Sequence, residues 1–156
     1  MIEAGVAPKV NTGPPEEPGS RPRAAERCSP EAMAARQRMV AIVEDDSGMR
    51  EALGRMLRAA GFEASSYASA EAFLQAGMKF GCLVLDVHLP GASGIDLQRR
   101  LAEDGLASPV IFITAHDSAR LRHEAEELGA IAFLAKPFEG RLLLGAVERA
   151  LAQRPN

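Results

Sequence analysis

Hydrophobic and polar positions between residues 39 and 152 follow a pattern typical of a parallel β-sheet with crossover helices. Short apolar runs alternate five times with longer stretches in which apolar residues recur every three or four positions. The apolar runs predict strands at Met39–Val43, Glu63–Tyr67, Cys82–Asp86, Val110–Thr114 and Ala132–Ala135. The amphipathic stretches predict helices at Ser47–Ala60, Ser69–Ala76, Gly94–Glu103, Ser118–Leu128 and Glu139–Ala152.

The first predicted strand is a continuous apolar run, and the third and fourth are continuous apolar runs up to the polar residue that ends each of them, as expected for central strands that are covered on both faces. Local signals mark the ends of the helices. Gly61 and Gly129 are placed to end the first and fourth helices, and Ser47 and Ser69 are candidate caps of the first and second. The pattern therefore predicts an α/β domain over residues 39–152.

Residues 1–38 have a different composition, with several prolines among Gly, Glu, Ser and Arg and almost no bulky apolar side chains. This composition predicts a disordered Pro-rich tail. The tail could be a tether, the product of a wrongly assigned start codon or an arm that binds a partner. Residues 153–156 are predicted to be a short C-terminal tail.

Overall composition narrows the classes of function. With 156 residues, 47% of them hydrophobic and 25% charged, the chain can build one globular core. A net charge of −3 argues against direct binding of nucleic acid. Cys28 and Cys82 have no spacing that suggests a zinc site or a disulfide framework, which fits a reducing cytoplasm. No apolar run has the length of a membrane span, so we expect a cytoplasmic protein that does not enter membranes.

Polar residues follow the predicted strands at the points where the strands end. The acidic run Glu44–Asp46 follows the first strand, Asp86 ends the third, Thr114 ends the fourth and Lys136 follows the fifth. Sites in open α/β sheets form at the carboxyl ends of the strands. If these four strands are neighbours, the ends bring together carboxylates, a hydroxyl and an ammonium group.

This set of groups predicts phosphoryl chemistry. Crowded carboxylates repel one another unless a cation compensates, and Mg²⁺ prefers oxygen ligands together with phosphate oxygens. An aspartate such as Asp86 can then attack phosphorus and form an acyl phosphate. The ammonium group of Lys136 and the hydroxyl of Thr114 are suited to contact the phosphoryl oxygens.

The motifs at these positions resemble those of the receiver domain of two-component response regulators. The resemblance covers about residues 38 to 152 and rests on four strings in order: Val43–Asp46, Leu85–Gly94, Ile113–His116 and Ala135–Phe138. It implies a flavodoxin-like, doubly wound parallel sheet of five strands in the order 2-1-3-4-5, with five helices. It also implies a phosphorelay in which a histidine kinase or a phosphotransfer protein is the donor.

The resemblance implies a role for each matching residue around the phosphoryl group. Asp86 would be the phosphoacceptor, and Thr114 and Lys136 would contact the transferred group. Phe133 matches an aromatic position that rotates on activation, although an aromatic side chain in an apolar strand is also ordinary packing. The Lys136–Pro137 peptide bond is expected to be cis.

The resemblance also implies a metal site. Asp45 and Asp86 would ligate Mg²⁺ through their carboxylates, His88 through its backbone carbonyl, and Glu44 mainly through a coordinated water molecule. Asp46 lies one position beyond the acidic pair and is expected to face solvent.

His88 and His116 each lie two residues beyond a predicted site residue. Both could border the path by which water attacks the acyl phosphate, but the favoured interpretation is that they are loop residues without a chemical task. We expect replacement of His88 to change the lifetime of phosphorylated Asp86.

Two other functions remain open from the sequence. A haloacid-dehalogenase-like phosphatase also uses an aspartyl phosphate, but it has a second acid where this chain has His88, and it has a cap insertion. The second alternative is a receiver-like interaction module that has lost phosphorylation. The complete set of site residues argues against it.

We expect no enzymatic activity beyond the protein's own phosphorylation and dephosphorylation. The sequence ends at Asn156, after the fifth predicted helix, so we expect either a single-domain regulator or a part of a longer protein. The expected output is a change in the binding of an unknown downstream protein, by a monomer or a weak homodimer.

Overall fold

The computed structural model describes residues 30–31, 38–77 and 80–153. The predicted N-terminal tail, apart from residues 30–31 and 38, therefore lies outside the described residues, as do residues 154–156.

Five parallel strands form one sheet in the order β2-β1-β3-β4-β5, which confirms the predicted fold class. Each strand keeps the bounds that the apolar pattern predicts: β1 Met39–Val43, β2 Glu63–Tyr67, β3 Cys82–Asp86, β4 Val110–Thr114 and β5 Ala132–Ala135. The three central strands are almost fully buried, whereas the edge strands β2 and β5 are half-exposed. Burial on both faces explains why the central strands are continuous apolar runs, which in β3 and β4 extend up to the last residue.

Five helices cross over between the strands: α1 Ser47–Ala59, α2 Ala70–Ala76, α3 Gly94–Glu103, α4 Ala119–Glu127 and α5 Gly140–Ala152. Ser69, Ser93 and Ser118 cap α2, α3 and α4 with their hydroxyl groups. The predicted role of Ser69 is therefore confirmed. α2 and α4 begin one residue after their predicted starts, whereas α3 begins at Gly94 as predicted.

The predicted cap of α1 is wrong. Asp46, and not Ser47, is the N-cap, because its Oδ2 accepts a hydrogen bond of 2.7 Å from the backbone N–H of Met49. Both side chains can cap a helix, and here the carboxylate comes first along the chain. Asp46 is nevertheless exposed, as the sequence predicts.

The sheet separates two hydrophobic cores. Alternating residues of β1, β3 and β4 point to opposite faces, as the period of a strand requires. One face packs against α2, α3 and α4 through side chains such as Phe73, Ile95 and Ala125. The other packs against α1 and α5 and includes Leu53 and Leu143.

Cys82, at the start of β3, belongs to the core between the sheet, α1 and α5. Burial raises the pKa of its thiol to about 12, so the group is neutral at ordinary pH.

Among the described residues, no helix combines the length and apolar character that crossing a membrane requires.

Candidate functional site

The carboxyl ends of β1, β3 and β5 converge on one ammonium group. The Nζ atom of Lys136, which follows β5, lies 2.8 Å from Oε2 of Glu44 and 3.1 Å from Oδ2 of Asp86. Glu44 directly follows β1, and Asp86 is the last residue of β3. Because the strands are parallel and in register, their ends meet at one edge of the sheet, as the sequence predicts.

The carboxylates of this site are buried. Glu44 is 1% exposed and Asp86 5% exposed. The pKa of Glu44 is raised to about 7, mainly by burial and in addition by the nearby Asp86 carboxylate, while the hydrogen bond with Lys136 opposes the rise. Burial alone would lower the pKa of Lys136, but the hydrogen bonds to Glu44 and Asp86 outweigh it and raise that pKa. Lys136 is thus held as a cation between two acids.

Asp45 completes a group of three acids. One carboxylate oxygen from each of Glu44, Asp45 and Asp86 lies within 4.8 Å of the other two. Glu44 and Asp86 are buried, whereas Asp45 is exposed to solvent. A set made only of oxygen ligands, open on one side, fits a hard divalent cation that keeps several waters.

Arg50 positions the acidic loop, a role that the sequence does not predict. Its Nη1 donates hydrogen bonds of 2.9 Å to the carbonyl oxygen of Glu44 and 3.3 Å to that of Asp45. On the same loop, the N–H of Asp46 donates to Oε1 of Glu44 at 3.2 Å. In the sequence Arg50 has the signature of an ordinary helix-surface arginine, so only the folded geometry identifies it.

The main chain around Asp86 is also closely packed. The N–H of His88 donates to Oδ1 of Asp86 at 2.9 Å, and the N–H of Gly94 donates to the carbonyl of Val87 at 2.9 Å. A Cβ atom at Gly94 would overlap the carbonyl oxygen of Asp86 and lie 3.0 Å from its carbonyl carbon. Gly94 therefore lets the first turn of α3 pack directly on the backbone of Asp86.

Thr114 lies beside the acid cluster but its hydroxyl is engaged elsewhere. Its Oγ1 accepts a hydrogen bond of 3.0 Å from the N–H of His116 and donates one of 3.2 Å to the carbonyl of the same residue. The side chain is fully buried at the end of β4. The hydroxyl thus closes the turn that follows β4.

The two histidines of the neighbouring loops meet at this edge. The rings of His88 and His116 are arranged edge to face with their centroids 5.3 Å apart, and both residues are exposed. His88 follows Asp86 by two residues, so the pair stands close to the acid cluster.

Phe133 is half-buried in β5 and is covered by an arginine that the sequence does not single out. The Cζ atom of Arg122, in α4, lies 4.9 Å from the centroid of the phenyl ring. The Nη2 atom of Arg122 donates to Oδ2 of Asp117 at 2.6 Å. The Lys136–Pro137 peptide bond, which follows β5, is cis as predicted.

A family model described as the response regulator receiver domain matches residues 40–148. The chain is 42% identical over 119 residues to the response regulator protein TmoT of Ectopseudomonas mendocina, a match that covers 75% of this chain and 54% of TmoT. It is 40% identical over 114 residues to the transcriptional regulatory protein FixJ of Bradyrhizobium diazoefficiens, covering 72% of this chain and 56% of FixJ. The chain thus spans about half the length of these curated relatives.

Solved structures of receiver domains have the same fold as this chain. The crystal structure of FixJ-N superposes with a TM-score of 0.69 at 37% identity, covering 76% of this chain and 96% of that one. The BeF3-activated DrrB receiver domain superposes with a TM-score of 0.67 at 30% identity, covering 74% of this chain and 97% of that one.

Proposed function

Because the chain belongs to the response regulator receiver domain family, we propose that Asp86 is the carboxylate on which it accepts a phosphoryl group. The single observation that carries this assignment is the convergence of Asp86, Glu44 and Lys136 at the carboxyl end of the sheet. Asp86 is the acid of this group that ends a central strand, with its carboxylate fixed by hydrogen bonds from His88 and Lys136.

The proposed reaction is an in-line displacement at phosphorus. A carboxylate oxygen of Asp86 forms a bond to phosphorus while the phosphorus–nitrogen bond of a donor phosphohistidine breaks, and the imidazole that leaves takes up a proton. Lys136 faces the phosphoryl oxygens as a fixed cation and stabilises the charge that develops on them. Hydrolysis reverses the state, since attack of water on the acyl phosphate releases inorganic phosphate and restores the Asp86 carboxylate.

We propose that Glu44, Asp45 and Asp86, together with the backbone carbonyl of His88, hold a Mg²⁺ ion. When bound, the ion supplies positive charge to the phosphoryl oxygens. The three carboxylates fit this role because they are oxygen donors clustered within 4.8 Å, with two of them buried. Glu44 is suited to act through a coordinated water molecule, because Lys136 already occupies its Oε2.

Thr114 and Phe133 are the proposed switch residues. Thr114 would turn its hydroxyl from His116 to the phosphoryl group, and Phe133 would change its position in response. The proposed donor is a histidine kinase or a histidine phosphotransfer protein in the cytoplasm. The proposed output is altered binding of a downstream protein, with no catalysis beyond the chain's own phosphorylation and dephosphorylation.

Intact mass spectrometry after incubation with acetyl phosphate and Mg²⁺ tests the assignment of Asp86. We expect the wild-type chain to gain one phosphoryl group that hydroxylamine removes, as is usual for an acyl phosphate. Asp86→Asn should gain none, whereas the matched control Asp104→Asn, an exposed aspartate at the end of α3, should behave as wild type.

Chelation with EDTA should stop the gain in mass. A wild-type chain that gains no mass with Mg²⁺, or an Asp86→Asn variant that is labelled as fast as wild type, would contradict the proposal.

A further inference from the structure

Arg122 covers the half-buried ring of Phe133. Its guanidinium carbon lies 4.9 Å from the ring centroid, within the range of a cation–π contact. Arg122 belongs to α4 and Phe133 to β5, so the contact joins two elements. While it persists, the guanidinium occupies one face of the ring.

Arg122 is in turn held by the loop before its helix. The 2.6 Å hydrogen bond from its Nη2 to Asp117 raises the pKa of the guanidinium group further above its usual value. Asp117 directly precedes Ser118, the N-cap of α4. The position of Arg122 therefore depends on where this loop places Asp117.

The same loop is closed by the hydroxyl of Thr114. That hydroxyl accepts from the N–H of His116 and donates to its carbonyl, one residue before Asp117. A hydroxyl has one proton, and phosphoryl oxygens only accept hydrogen bonds. Donation to a phosphoryl group on Asp86 therefore ends donation to His116 and loosens the turn that carries Asp117.

The helix that carries Arg122 is lightly anchored. Of the residues of α4, all of which the structure describes, Ala125 alone is fully buried. A further link to the neighbouring helix is the ion pair between Arg99 and Glu124 at 3.5 Å, on the solvent side. Few apolar contacts oppose a displacement of α4. The helix can therefore adopt two arrangements, one in the unphosphorylated and one in the phosphorylated chain.

We propose that Arg122, held by Asp117, is a latch that keeps Phe133 covered while Asp86 is unphosphorylated. Recruitment of Thr114 by the phosphoryl group releases Asp117, Arg122 leaves the ring, and Phe133 becomes free to move. Arg122 is a positioning residue, since it acts through Phe133 and touches no reacting atom. This inference rests on the proposed function and adds the link between Thr114 and Phe133.

A latch stabilises the unphosphorylated arrangement, so its removal must favour the activated one. The test is an NMR titration of the chain with beryllofluoride, a phosphoryl mimic, in Mg²⁺. Loss of one exposed cation–π contact predicts half-saturation of Arg122→Gln at a beryllofluoride concentration lower by about two- to fivefold. Asp117→Asn should also lower the beryllofluoride concentration at half-saturation. Because Asp117 acts through Arg122, the double variant should show a smaller change than the product of the two single changes.

Arg120→Gln is the matched control. Arg120 lies on the same helix and also forms an ion pair, 3.0 Å to Glu124, but its side chain is 88% exposed. Its replacement removes the same charge and should leave half-saturation unchanged. The free protein supplies a second readout, in which Arg122→Gln, and not Arg120→Gln, shifts the ring resonances of Phe133.

Equal half-saturation in Arg122→Gln and Arg120→Gln, or a shift of Arg122→Gln to higher concentration, would overturn the latch while leaving the proposed function intact. A wild-type chain without any response to beryllofluoride in Mg²⁺ would instead overturn the proposed function, and the latch with it.

Discussion

Glu44 and Asp45 are adjacent in sequence and occupy opposite environments. Glu44 is buried against Lys136 and Asp86, whereas Asp45 is exposed. Burial is what raises the pKa of Glu44 to about 7, while the neighbouring cation opposes the rise. One of the proposed metal-binding carboxylates is therefore partly protonated near neutral pH when no cation is bound.

The affinity for Mg²⁺ should consequently rise between about pH 6 and pH 8. A carboxylate must lose its proton before it can support a cation, and Glu44 does so around pH 7. Isothermal titration calorimetry at several pH values measures the effect. Glu44→Gln should bind more weakly and with a flatter pH profile, and an equally steep profile in this variant would contradict the assignment.

The stability of the metal-free fold should show the opposite trend. The folded-state pKa of Glu44 is raised above its ordinary value of 4.5, so protonated Glu44 favours the folded state. This contribution is complete below about pH 4.5 and is lost as the pH rises through about 7.

Replacement of His88 by alanine should shorten the lifetime of phosphorylated Asp86. The rings of His88 and His116 form an exposed edge-to-face pair, and the backbone N–H of His88 donates to the carboxylate of Asp86. We therefore expect loss of one ring to ease the access of water to the acyl phosphate. Decay of the phosphorylated mass over time measures the lifetime. His123→Ala is the control, since His123 lies on α4 in an exposed pair with Glu127; an unchanged decay in His88→Ala would count against a role for the ring.

The contact between α3 and the end of β3 leaves no space for an added side-chain atom at Gly94. A Cβ at Gly94 would overlap the carbonyl oxygen of Asp86, which is backbone and cannot rotate away. Gly94→Ala should therefore lower the free energy of unfolding by about 1–3 kcal/mol, the usual cost of overpacking. It should also slow phosphorylation, because the displaced backbone carries Asp86.

Gly54→Ala is the control for Gly94→Ala. In α1 the three atoms nearest to the added methyl group all belong to the guanidinium end of Arg58, the first at 3.0 Å, and that flexible end can move. Because alanine favours a helix interior over glycine, this variant should be neutral or more stable by about 0.5–1 kcal/mol. Chemical denaturation of the two variants compares them, and equal stabilities would show that the contact at Gly94 relaxes freely.

Elements were predictable from sequence to different degrees, for physical reasons. All five predicted strands have the bounds that the structure shows. The bounds are best defined in the central strands, where a continuous apolar run ends at or just before a polar residue, as in β3 and β4. Helix starts depend on which of several capable side chains bonds the first free N–H groups. At α1 both Asp46 and Ser47 qualify, and the apolar pattern does not distinguish them.

The candidate site was predictable as far as it depends on strand ends. Parallel strands of known order bring Glu44, Asp86 and Lys136 to one edge, and the structure joins all three. Arg50 and Arg122 were not predictable, because long side chains reach groups whose proximity only the folded loops create. The two hydrogen bonds between the hydroxyl of Thr114 and the backbone of His116 also depend on the local turn, and no spacing of residues in the sequence specifies that turn.

Mg²⁺ should stabilise the fold as a whole, because it binds only the folded chain. The acid cluster joins residues from the ends of β1 and β3, which are neighbours in the sheet but lie far apart in sequence, so unfolding destroys it. At a concentration one hundred times the dissociation constant, the gain is about 2.7 kcal/mol, or roughly 10 °C in melting temperature. Calorimetry with Mg²⁺ and then with EDTA measures it.

Variants separate the site from a general effect of salt. Asp45→Asn should lose most of the stabilisation by Mg²⁺, whereas Asp104→Asn should keep it. An equal gain in both variants would mean that the ion acts elsewhere.

The rate at which a reagent modifies the buried thiol of Cys82 measures how often the core around the sheet opens. It lies in the central strand that ends at Asp86, where a maleimide or disulfide reagent reaches sulfur only after α1 or α5 separates from the sheet. In a Cys28→Ser background, the alkylation rate of this single thiol counts such openings directly. A ligand that binds at the carboxyl ends of the strands should slow the alkylation of Cys82. The thiol at the start of β3 thus reports on occupancy of the site at the other end of the same strand.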